Sequence, residues 1–116
     1  MVFTDDAVKL IIGFLEDGPT HIAVGSDNTP ADREDFALID EKGRYAISYR
    51  TSGDDVAVFQ VIVTSPQLNG ETLREVGLFD ASTGGTMYSR NINAAIVKTK
   101  SLEIQYEITF KVTNIG

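Results

Sequence analysis

The chain contains no cysteine, no tryptophan and a single histidine, His21. Without cysteine there can be no disulfide, no thiolate nucleophile and no cysteine-based zinc or iron–sulfur site. Such a chain suits assembly in a reducing cytosol, or a fold that never needed crosslinks. One histidine cannot complete a transition-metal site of the usual kind, and no cofactor is expected. Basic side chains are scarce: 10 against 17 acidic ones, for a net charge of −7. An acidic surface repels a phosphate backbone, so no nucleic-acid partner is expected. Long apolar runs are missing too. The densest, Val56 to Val63, is interrupted by Gln60. It falls far short of the roughly 20 residues that span a bilayer, so no membrane insertion is expected. The N-terminus, Met1 to Asp6, lacks the basic start of a secretory signal.

What remains is ordinary for one globular domain. The 116 residues are 42% apolar and 23% charged. Residues 1–116 are expected to form a single domain, with a helix in residues 1–17 and a β-rich module in 18–116. Val8, Ile11, Ile12 and Leu15 follow the spacing of one helical face, which predicts a helix from Thr4 to Glu16. Thr4 suits the N-cap, Asp5 and Asp6 suit the first turn, and Phe3 with Val8 has the spacing of a hydrophobic staple. Gly13 weakens the helix, and Asp17-Gly18-Pro19 ends it.

Beyond the helix, strand signals alternate with turns. His21 to Gly25 reads as a short strand and Ser26 to Asp35 as a polar loop. Phe36 to Ile39 fits either a helical turn or the start of a strand. Lys42-Gly43 reads as a turn, Arg44 to Thr51 as one strand, and Ser52 to Asp55 as a hairpin turn. Val56 to Thr64 is apolar on both alternating faces, which predicts a strand buried on both sides. Ser65 to Gly70 is the next turn, with Asn69-Gly70 tolerating positive φ. Thr72 to Asp80 and Met87 to Ile92 are strands flanking the turn Thr83-Gly84-Gly85. From Leu102 to Thr113 apolar and polar residues alternate without a break, the pattern of a half-buried antiparallel strand. Short connections without helices favour antiparallel pairing. The expected fold is therefore mainly β, an antiparallel β-sandwich or partly closed barrel with one N-terminal amphipathic helix.

No nucleophile–base pair stands out, and the chain is not expected to be an enzyme. His21 adjoins Ile22-Ala23-Val24 and reads as structural or exposed. The segment Ser26 to Asp35 carries four carboxylates, but it lacks the glycine and glutamate spacing of an EF-hand, so it reads as a solvated acidic loop. Among 17 acidic residues any two would satisfy a glycosidase's need for a carboxylate pair, so that signal selects nothing. Arg74 and Glu75 are unusual. Neighbouring strand residues face opposite ways, so either one of them points inward and needs a partner, for which Glu41 and Arg44 are candidates, or both sit at an exposed sheet edge. Gly77 in mid-strand suggests a bulge or a close approach of another backbone.

These segments, taken in order, carry a resemblance. Thr20-His21-Ile22-Ala23-Val24-Gly25, then Pro30, then Ala37-Leu38 with Glu41 and Arg44, then Arg74-Glu75-Val76-Gly77-Leu78-Phe79-Asp80 resembles the N-terminal domain of tail-collar fibre proteins of tailed phages. Lys98 or Lys100, followed by the strand Leu102 to Val112, fits the end of that pattern. The resemblance covers roughly residues 18 to 113, and the block from Arg74 to Asp80 is its most specific part. It implies a virion structural protein, a β-rich module that fixes a fibre to a tail or baseplate by protein–protein assembly. The implied partners are other tail or baseplate proteins and further copies of the chain, as a trimer or symmetric ring. The implied location is the virion tail, reached from the host cytoplasm during assembly. In many relatives the domain heads a longer fibre with a shaft and a receptor-binding tip. This chain stops at Gly116, so the expectation is a fibre completed by a separate protein, or a small baseplate, tail or decoration component.

Two questions stay open at the level of sequence. Val8, Ile11, Ile12 and Leu15 can close the domain's own core or form an assembly interface with a neighbouring copy. A carbohydrate-binding β-sandwich is the alternative function, with Tyr45, Tyr49, Tyr88 and Tyr106 as the tyrosines available to stack on sugars, three of them at alternating apolar positions. A small hydrolase is the third reading, without a distinctive set of residues to carry it.

Overall fold

A computed structural model describes residues 4–113. The chain runs as α1 (Asp5–Asp17), β1 (His21–Gly25), β2 (Glu41–Ala46), β3 (Tyr49–Ser52), β4 (Val56–Val63), β5 (Thr72–Phe79), β6 (Met87–Val97) and β7 (Ile104–Lys111). The strands form a four-stranded sheet of order β2-β1-β5-β6 and a three-stranded sheet of order β3-β4-β7. Every pairing is antiparallel. The architecture is mainly β and sandwich-like, with two sheets that do not close into a barrel.

Helix α1 forms as its sequence dictates. The Thr4 side chain accepts from the Ala7 amide at 3.1 Å, and Asp5 and Asp6 occupy the first turn. Phe3, the expected staple partner of Val8, lies outside the described residues. The helix packs on β3 and β4. Val8 and Ile12 join the main core with Ile22, Val24, Phe59, Val61, Leu73, Leu78, Tyr106 and Ile108. Arg50 reaches across to the Glu16 carbonyl and ties the C-terminal turn to β3.

Four expectations from the pattern need correction. Arg44 to Thr51 is not one strand. The chain leaves the first sheet after Ala46 and enters the second at Tyr49. The Ile47 amide donates to Thr20 beside β1, whereas the Ser48 amide donates to Gln60 on β4, each at 3.0 Å. Alternation survives across this switch because side chains keep alternating while the hydrogen-bond partner changes. Lys42-Gly43, expected as a turn, lies inside β2 and pairs with β1. The strand β4 is buried on one face only: Ala57, Phe59, Val61 and Val63 point into the core, and Ile62 on the other face is 42% exposed. The long amphipathic segment near the C-terminus contributes β7, and Leu102 falls outside it and is exposed. In β7, Tyr106 and Ile108 reach the core while Glu107 faces out and accepts from Gln60.

The four-stranded sheet is covered on both faces along β1 and the second half of β5, while β6 beyond Arg90 is largely exposed. Its inner face meets the main core. Its outer face is roofed by residues 26–40, a stretch with no helix or strand. Cross-strand pairing aligns His21 with Phe79, Ala23 with Gly77 and Gly25 with Glu75, so these pairs line the floor under the roof. Leu38 descends from the roof and forms a second apolar cluster with Ala23 and Phe79.

Candidate functional site

The unusual dipeptide Arg74-Glu75 resolves at this floor. Glu75 is the inward one, fully buried. Its partner is Arg90 of β6; neither Glu41 nor Arg44 reaches it. The Arg90 Nε donates to Glu75 Oε1 at 2.9 Å. The rest of the carboxylate is satisfied by the roof: Ile39 N donates to Oε1 at 3.1 Å, while Asp40 N and Asp27 N donate to Oε2 at 2.9 and 3.1 Å. One carboxylate thereby grips the start and the end of the roof segment. Burying it without these four donors would cost several kcal/mol. Arg74, at the register shift of β5, reaches the start of the same roof, where its Nη1 donates to the Ser26 carbonyl at 3.1 Å.

Arg90 is itself enclosed, with a side chain 1% exposed. Its Nη1 donates to Asp35 at 3.2 Å, and Asp27 lies 3.7 Å from Nη2. Three carboxylates thus surround one guanidinium. Hydrogen bonds from Thr29, its side chain first and then its backbone amide, hold the Asp27 carboxyl below its usual range, against a smaller opposing effect of burial and with help from Arg90. Asp40 is lowered likewise, first by the Ser26 hydroxyl and then, past the opposing burial, by Lys42.

The glycines at this floor are steric requirements. A Cβ on Gly25 would run into the Asp40 carbonyl and lie 2.6 Å from Glu75 Oε2. One on Gly77 would lie 2.9 Å from Leu38 and 3.0 Å from the Phe79 ring. The mid-strand glycine therefore marks a close approach, by a side chain of the roof and the ring of its own strand.

Arg44 forms an adjoining knot. Its guanidinium stacks 3.7 Å above the Phe79 ring and grips Glu41 with Nε and Nη2 at 3.2 and 2.7 Å. Its Nη1 donates to the carbonyls of Ala81 and Gly84 at 3.0 and 2.8 Å, which fixes the β5–β6 turn. The residues singled out in sequence therefore gather on one side of the four-stranded sheet: Gly25, Leu38, Glu41, Arg44, Glu75, Gly77 and Phe79, with Arg74 at the rim. Leu78 points into the main core instead. His21, half-buried, shares a 2.8 Å hydrogen bond with the Thr20 hydroxyl.

A further knot sits at the far end of β5 and β6. Lys98 is fully buried; its ammonium donates to the carbonyls of Ser65 and Thr99 at 3.0 and 2.9 Å and to Asn69 Oδ1 at 2.9 Å. Lys100, the other lysine compatible with the sequence pattern, is exposed. The 65–70 turn that Lys98 clasps has positive φ at Leu68 and Gly70, not at Asn69.

Sequence reasoning missed Arg90 and Asp35 as members of the first knot. The available signal was a lone arginine inside the strand pattern Met87 to Ile92, opposite Gly77 in register. Of the four residues expected at an assembly interface, Val8 and Ile12 are buried in the chain's own core, Leu15 is half-buried and Ile11 is 37% exposed. The most exposed apolar side chains of the helix are Leu10 and Phe14, neither of them among the four. Among the tyrosines, Tyr106 is buried, Tyr45 and Tyr88 are half-buried, and Tyr49 is 54% exposed. No helix among the described residues is long and apolar enough to cross a membrane. No family model and no curated protein matches the chain.

Proposed function

We propose that this chain is a virion structural component, a tail-fibre or baseplate attachment module that acts by protein–protein assembly and not by catalysis. The supporting observation is convergence. Seven of the residues that carry the resemblance to tail-collar fibre domains, scattered from Gly25 to Phe79 in sequence, gather in two adjoining knots on one side of the four-stranded sheet, while Leu78 and Lys98 lie elsewhere. In these knots the carboxylate of Glu75 and the guanidinium of Arg44 are engaged in holding loops. Groups so engaged serve shape: they make a rigid platform from a segment without helix or strand, which suits a part that must present fixed surfaces to neighbours. The decisive experiment is immunogold labelling of tailed particles with antibodies against this chain. Label at the tail or baseplate is expected; purified particles that never carry the chain would refute the reading.

A further inference from the structure

Helix α1 has two apolar faces, and the fold uses one. Val8 and Ile12 enter the core, while Leu10 and Phe14 stand 76% and 72% exposed on the opposite side. At 3.6 residues per turn, Leu10 and Phe14 form one ridge, and Lys9, Gly13 and Asp17 form the ridge beside it. Gly13 is the low point of this surface. A Cβ built there meets nothing within 4 Å, so the notch opens to solvent. Lys9, Leu10, Gly13, Phe14, Asp17 and Gly18 line a shallow groove along the helix.

We propose that this face pairs with the same face of a second copy, as an antiparallel two-fold helix contact centred on Gly13. The arrangement of charge selects the occupant. Lys9 and Asp17 lie four residues to either side of Gly13. A two-fold axis through Gly13 with antiparallel helices brings Lys9 of each copy to Asp17 of the other, twice. A parallel arrangement would set lysine on lysine and aspartate on aspartate, and would also align the helix dipoles unfavourably. The bare glycine lets the backbones approach, and Leu10 and Phe14 then pack across the seam as ridges into grooves. An isologous contact of this kind is self-complementary and closed, so it makes a dimer and not a filament.

The inference goes beyond the assembly reading by naming a surface, a symmetry and an orientation. It rests on that reading only for the expectation that copies meet. A three-fold axis cannot relate two helices as an antiparallel pair, so any trimer or ring must use another surface, with helix pairs joining such units. A single helix pair buries less than the roughly 1,200 Å² of a standard interface, so the contact is weak and depends on concentration.

Sedimentation equilibrium of the full chain, from micromolar to low millimolar concentration at low salt, tests it. The expected mass of the wild type moves from one chain towards two. Leu10→Asp and Phe14→Asp should hold the mass at one chain; both positions are exposed, and an unchanged circular dichroism spectrum confirms folding. Lys9→Asp and Asp17→Lys should each weaken pairing by roughly threefold to tenfold. The double variant Lys9→Asp/Asp17→Lys should restore it. A wild type that stays at one chain, an association indifferent to Leu10→Asp and Phe14→Asp, or a charge swap that fails to restore pairing overturns the proposal. A trimer or ring untouched by all four substitutions overturns the helix pairing while leaving the attachment-module reading in place. Absence of the chain from tailed particles does the reverse.

Discussion

Glu75 in β5 and Lys98, just past the end of β6, are both fully buried charges, yet they are stabilised in different ways. Glu75 has a counter-charge, Arg90, and three backbone amides from the roof. Lys98 has three neutral oxygens as its hydrogen-bond partners, from Ser65, Asn69 and Thr99. The first sits at the centre of a charge cluster that spans residues 27 to 90; the second clasps a single turn. The comparison teaches that saturating a buried ion's hydrogen bonds is the common requirement, whereas a partner of opposite sign is needed only where other charges are buried alongside. Removing Glu75 takes the nearest and most buried counter-charge from Arg90 and leaves it the longer contacts to Asp35 and Asp27. Removing Lys98 leaves no opposite charge behind.

The largest expected effect follows from that asymmetry. Glu75→Gln turns two donors of a carboxamide towards amides that also donate, and takes the closest carboxylate from Arg90. Urea denaturation should register a loss of about 3–5 kcal/mol. Native-state hydrogen exchange should show the roof amides of Ile39 and Asp40 opening first. Equal protection at these amides in both proteins would break the comparison.

Lys98→Met keeps the length of the side chain and removes the charge. It leaves the acceptors of the 65–70 turn to find water, and Asn69 is exposed enough to do so. The expected loss is about 1–3 kcal/mol in the same denaturation experiment. A loss as large as that of Glu75→Gln would mean that the counter-charge at the first site matters less than its hydrogen bonds.

A third buried polar group calibrates both. The Tyr106 hydroxyl has no hydrogen-bond partner among the described residues, and burial pushes its pKa up to about 12. Tyr106→Phe should therefore be neutral or stabilising by up to about 1 kcal/mol at neutral pH. The raised pKa means that the folded state holds its proton longer than the unfolded one. Wild-type stability should fall as pH rises from 10.0 towards about 12, and the variant should lack that part of the fall. Thermal melts across this range measure it.

The smallest effect separates the two regions by acid. Asp27 and Asp40 have folded pKa values below their ordinary 3.8. The stability they add is present above that value and is lost as pH falls through the folded pKa. Residues 26–40 should thus loosen below pH 3.8 while the 65–70 turn, held by an ammonium on neutral oxygens, keeps its protection. Exchange measured at both segments against pH would sharpen or dissolve the contrast.

Much of the fold was legible because pattern and burial agree. The helix cap at Thr4, the strand His21 to Gly25 and the hairpin at Ser52 to Asp55 are local, and local chemistry decides them. The break at Ile47-Ser48 was illegible because the alternation of Tyr45, Ile47 and Tyr49 carries no record of which sheet each residue bonds to. The one-sided burial of β4 was hidden because Val56, Val58 and Ile62 are apolar whether covered or not. In the candidate site, Glu75 stood out as a charge within an apolar run. Arg90 was lost among polar neighbours in β6, since its importance comes from register with Gly77, a long-range fact.

The roof over residues 26–40 has a practical consequence for anyone wishing to display a foreign peptide on this scaffold. Surface segments without regular structure are the customary places to splice in new sequence, but this one is fastened at Asp27, Ile39 and Asp40 to a carboxylate beneath it. A graft there would prise open the outer layer of the domain. The exposed tip at Gly53 and Asp54, between two strands of the opposite sheet, is the better port of entry.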